Sequence, residues 1–110
     1  MATLPPETSA SIDLLKNRCL AIIHLATKSE WNLLTQVGET SESMAALSEL
    51  KNVAQEATDA FTRLNNLQLK VAGSQPEMSP ALSRLILDSR DRIEIRISAW
   101  QRSIEEILSN

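Results

Sequence analysis

The chain is short of the residues that make turns and of those that make strands. Its 110 residues hold two glycines, four prolines, no tyrosine and one phenylalanine, with aromatics at 3%. A sandwich or barrel of many short strands needs frequent turn-formers and draws on aromatic and β-branched side chains, so that class is excluded. One cysteine, Cys19, leaves nothing to pair with inside the chain, which fits a reducing compartment. The longest apolar run, Cys19-Leu-Ala-Ile-Ile23, falls far below the ~20 residues that span a bilayer. The opening Met-Ala-Thr-Leu-Pro-Pro lacks the basic and apolar regions of a secretion signal, so a cytoplasmic location without membrane insertion is expected. A net charge of −3 and a pI near 5.1 argue against a whole-chain nucleic-acid binder.

What remains is 43% apolar and suited to helices. The length fits one domain. The boundaries expected are a disordered N-terminal tail over residues 1–7 and a single helical bundle domain over 8–110. Gly73-Ser-Gln-Pro76, then Ser79-Pro80, is the clearest interruption. Gly73 reads as a left-handed helix end, and Ser79 with Pro80 as an N-cap followed by the first helical position. Beyond Pro80 there is no Gly or Pro, so the last helix is expected to run about thirty residues, ~45 Å.

Apolar periodicity supplies the seams. Leu82, Ile86, Ile93, Ile97, Trp100, Ile104 and Ile107 fall within roughly ±60° of Ile86 at about 100° per residue. Leu50, Val53, Ala57, Ala60, Phe61, Leu64 and Val71 form a second stripe, and Ile12, Leu15, Cys19, Ile22 and Ala26 a third. Met44 lies out of phase with the second stripe, so a break precedes Leu47, with Gly38 as a candidate. Ser29, before Glu30 and Trp31, is a second candidate for the boundary between helices 1 and 2. The fold expected is all-α: an antiparallel three-helix bundle with long helices and coiled-coil-like seams.

Little in the chain suits chemistry. His24 is the only histidine and lies away from the first stripe, and Cys19 lies on it with no His or second Cys nearby. No Cys/His spacing suits a metal, no Glu-x-x-His pair is present, and the glycines are too far apart for a phosphate loop. The expectation is a non-enzyme with no cofactor.

The charges are uneven. Residues 1–62 carry eight acids and four bases, a net −4, and residues 63–110 carry six acids and seven bases, a net +1. Arg84, Arg90, Arg92, Arg96 and Arg102 flank the last helix, where Asp88–Arg92, Arg90–Glu94 and Arg102–Glu106 have i,i+4 spacing. Off the seams stand Leu85, Leu87 and Ile95, and in the first helix Leu14, Leu20 and Leu25. Exposed apolar residues that connect into a patch mark a groove for a partner helix. The candidate partner-binding residues are therefore Leu85, Leu87, Asp88, Ile95, Arg92 and Arg96.

Two stretches resemble a known family. Leu25-Ala-Thr-Lys-Ser-Glu-Trp31-Asn-Leu-Leu34 is similar to a segment near the start of FliT-type flagellar export chaperones, and Arg84-Leu-Ile-Leu-Asp88 with Arg92-Ile93 to the start of their long third helix. The resemblance implies a three-helix bundle broken just before Trp31, with Ser29 as cap and Trp31 and Leu34 opening the second helix. Trp31, Leu34, Ile86 and Ile93 would be structural members of the motif. It implies a cytosolic chaperone of type III export that binds the C-terminal helical part of the filament-cap protein FliD. Export-apparatus proteins and the flagellar master regulator are further partners it implies. The fourth helix that masks the surface in some members has no counterpart here, so an open groove is expected. The alternative is a self-associating helical structural or adaptor protein, a homodimer built on the long seam. A nucleic-acid adaptor using the Arg flank ranks below both, because acids interleave that flank.

Overall fold

Pro6 occupies the first position of α1 (Pro6–Gln36), where its missing N–H costs nothing and its fixed φ is already helical. The computed structural model describes residues 4–74 and 78–109. The helix thus starts inside the segment 1–7 expected to be a tail: Pro6 and Glu7 are helical and Leu4 packs against the core. Residues 1–3 of that segment lie outside the described residues.

α1 does not break at Ser29. It continues through Trp31 and Leu34 to Gln36, so both residues sit in its last turns and neither opens the second helix. The reason is local. Ser29 is buried three residues after Ala26, on the face that carries Ile22 and Ala26, and no Gly or Pro intervenes before Gly38. A small hydroxyl side chain is accommodated in the seam, and tertiary burial overrides its weak capping preference. Gly38 makes the break: its φ of +78° is the only positive value among the described residues, and its N–H reaches back to the Leu33 carbonyl at 3.3 Å.

α2 (Ser41–Gly73) begins with a capping box. The Thr40 side chain accepts from the Ser43 N–H at 3.1 Å and the Ser43 hydroxyl accepts from the Thr40 N–H at 2.9 Å. Ser43 Oγ also donates to the Gly38 carbonyl at 2.6 Å, which ties the turn to the helix. At the far end, Gly73 is the last helical residue and Ser74 is the extended C-cap, so Gly73 does not adopt the left-handed conformation its position suggested. α3 (Pro80–Ser109) starts as expected, with Ser79 Oγ accepting from the Leu82 N–H at 3.1 Å.

The three helices stack into an antiparallel up-down-up bundle 56 Å long and 19 × 18 Å across. This is the all-α three-helix architecture the stripes predict. The core is one continuous seam: Ile12, Leu15, Cys19, Ile22 and Ala26 from α1, Leu50 to Val71 from α2, and Ile86, Ile93, Ile97, Trp100 and Ile104 from α3. Met44, out of phase, is exposed. Each buried Leu or Ile contributes roughly 1.5–3 kcal/mol. Among the described residues no helix is long and apolar enough to cross a membrane.

Candidate functional site

The six α3 candidates do not share one groove. Leu85, 39% exposed, lines a hollow of about 340 Å³ between α2 and α3 with Asp59, Thr62, Arg63, Asn66 and Lys70. Arg96 faces the same side, where it pairs with Glu56 and lies over the Trp100 ring at 5.6 Å. Leu87 is also 39% exposed, but two residues turn a helix by about 200°, which carries it to the edge of α3 away from Leu85. Ile95 is 71% exposed, and Asp88 and Arg92 are exposed too. Ile86 and Ile93 are core.

The expected i,i+4 pairs do not form. Among the described residues the ion pairs are Arg90–Asp91 at 3.1 Å and Arg96–Glu56. Neither Asp88–Arg92, Arg90–Glu94 nor Arg102–Glu106 closes.

The three seams differ in how they are closed. Between α1 and α2, Lys16 Nζ donates to Asn65 at 3.0 Å and Gln68 at 2.8 Å and lies over the Phe61 ring, while Gln68 donates to Asp13 at 2.9 Å. Between α2 and α3, Trp100 Nε1 donates to Glu56 Oε2 at 2.7 Å and Arg63 Nε to Ser89 Oγ at 3.0 Å. The Trp100 indole, more than the Arg96 guanidinium, holds the Glu56 carboxyl below its ordinary value, against a counteracting effect of burial. Between α1 and α3, no side-chain hydrogen bond or ion pair crosses among the described residues.

That third seam is apolar and open. A groove of about 170 Å³ is lined by Arg18, Ala21, Ile22 and Leu25 from α1 and by Ile97 and Gln101 from α3. Leu14, Arg18, Ala21 and Leu25 follow one another at i, i+4, i+7 and i+11 along one edge of α1. Leu14 is exposed and Leu25 partly buried. Leu87, Glu94 and Gln101 recur every seven residues along the facing edge of α3. None of the six sequence candidates lines this groove; Leu87 shares its edge of α3, two heptads before Gln101. Arg18 is half-buried within it and has no ion pair or hydrogen-bond acceptor among the described residues. Leu14 and Leu25 were visible as off-seam leucines; the place of Arg18 beside α3 depends on the parallel pairing of α1 with α3, which no local spacing encodes.

His24 is exposed, and Cys19 is buried, with burial pushing its thiol above the ordinary value against a smaller opposing effect of Arg18. Among the described residues no group of three or more His, Cys, Asp or Glu could hold a metal ion.

Comparison with protein-family models, with curated proteins and with solved structures finds no match for this chain.

Proposed function

We propose that the protein is a non-enzymatic helix-holding chaperone acting in the cytoplasm, with the client helix laid along the α1–α3 groove. One observation carries this reading. Two of the three seams are crossed by polar bridges, and the third, where Leu25 lines a groove and Leu14 and Leu87 are exposed on the flanking helix edges, has none among the described residues. An amphipathic helix seated there would convert three helices into a four-helix arrangement and bury that apolar edge. Arg18, unpaired among the described residues, would meet an acidic side chain on the client, for which its planar fork is suited. The resemblance in Leu25–Leu34 and Arg84–Ile93 narrows the client to the C-terminal helical part of a filament-cap protein of the FliD kind. The continuous helix through Trp31 departs from the break that resemblance implies.

Titration with a fluorescent peptide covering the C-terminal helical segment of a filament-cap protein tests this. Saturable micromolar binding is expected, with Leu14→Asp and Leu87→Asp each weakening it at least about tenfold while far-UV helicity and melting stay near wild type. Absence of binding by the wild-type protein, or binding indifferent to both substitutions, would sink the reading.

A further inference from the structure

Glu42, Glu49, Glu56, Arg63 and Lys70 recur every seven residues along α2, and all five are exposed. A heptad row drifts about 20° per repeat on a straight helix, about 80° from Glu42 to Lys70, so the five form one edge that winds slowly around α2. It is the edge toward α3, because Glu56 meets Arg96 and Trp100 there and Arg63 meets Ser89. Three acids are followed by two bases. The helix dipole suits the outer members, Glu42 in the first turn of α2 and Lys70 in the last, but its influence fades within a turn of each end and does not reach Glu49 and Arg63, which lie more than two turns inside. Pairing within the helix does not account for it either. Glu42, Glu49 and Lys70 have no opposite charge three or four residues away, and among the described residues none of the four outer members forms an ion pair.

The two halves of the row border two different hollows. Glu42 and Glu49 rim a trough of about 470 Å³ floored by Leu33, Val37, Ala46 and Ile107. Arg63 and Lys70 border the hollow that holds Leu85. Acid, acid, centre, base, base read forward is the complement of the same row read backward.

We propose that this edge is an isologous interface between two copies of the chain, with the two α2 helices antiparallel and the two-fold axis at Glu56. Glu42 then faces Lys70 of the second copy and Glu49 faces Arg63, and each pair occurs twice. Glu56 stays engaged with Trp100 and Arg96 of its own chain, so the like charges at the axis are neutralised locally. The face is separate from the α1–α3 groove, so the proposal stands whether or not a client binds there. Exposed ion pairs each contribute little and are screened by salt, which makes the dimer weak and salt-sensitive.

Sedimentation of the full chain decides it. At about 100 μM protein in about 0.01 M salt, where screening extends about 30 Å, a dimer of the 12.2 kDa chain is expected. In about 1 M salt, where screening falls to about 3 Å, it dissociates. Glu42→Lys with Glu49→Lys, and Arg63→Glu with Lys70→Glu, are each monomeric at low salt, and their equimolar mixture regains the dimer because every pair is complementary again. Lys70→Glu alone weakens the dimer, and adding Glu42→Lys in the same chain restores it, an arm that leaves the Arg63–Ser89 bond untouched. A wild-type monomer at low salt, a dimer that survives salt and both reversals, or a mixture that stays monomeric would each overturn the proposal.

Discussion

The Trp100 indole donates to the Glu56 carboxylate at 2.7 Å, joining α3 to α2 across 44 positions of sequence. Trp100 is almost wholly buried, Glu56 is about half exposed, and Arg96 completes the group from one turn before Trp100 on α3.

Acid should loosen this contact. The native Glu56 carboxyl lies below its ordinary 4.5, chiefly through the Trp100 bond, so the stability it adds is fully present above that value. It is lost as pH falls from there through the lowered native value. Glu56→Gln keeps an acceptor for the indole and removes the charge. The wild type should exceed this variant by about 1 kcal/mol at neutral pH, less than the ~1.5–3 of a shielded charge-assisted bond because solvent reaches the site. Urea unfolding at stepped pH checks it: the gap should close as pH falls below about 4.5 through the lowered native value, and a constant gap would contradict the assignment.

The two tryptophans should behave oppositely. Trp31 is 66% exposed near the end of α1 and Trp100 is 4% exposed in the core. Trp31→Ala should leave stability within about 0.5 kcal/mol, while Trp100→Ala should cost roughly 3–5 kcal/mol and leave the Glu56 carboxylate without its indole donor. In Trp100→Phe, the remaining Trp31 emission should be red-shifted and readily quenched by acrylamide. A shielded emission would mean that α1 ends before it.

The glycines should also differ in sign. A Cβ at either would meet nothing within 4 Å, so backbone conformation alone decides. Gly38→Ala places an L side chain at φ +78° and should cost about 1–2 kcal/mol. Gly73→Ala lies at a helical position and should stabilise by about 0.4–1 kcal/mol. Thermal melts of the two variants, moving in opposite directions, check both.

The seams and two of the boundaries were legible in sequence because they rest on local rules. Ser79-Pro80 capped α3 as its chemistry dictates, and the phase slip at Met44 pointed to Gly38. Ser29 misled because its capping ability is local while its burial beside Ala26 is tertiary. The cross-helix bridges were not legible. Sequence spacing exposes only pairs on one helix, and Arg96 instead reaches Glu56, 40 residues away. For the same reason Leu87 could be picked as an off-seam residue, yet that the α3 edge of Gln101 faces the α1 edge of Arg18 needed the parallel pairing of α1 with α3.

A rod 56 Å long and 19 × 18 Å across has an interior one side chain deep. Its core is a column of layers, each touching only the layers above and below it. Cooperativity in such a column passes lengthwise, and the outermost layers open first. Glu56 stands midway along α2, at the middle of the column. Its bond to Trp100 therefore ties α2 to α3 across the layer farthest from either fraying end.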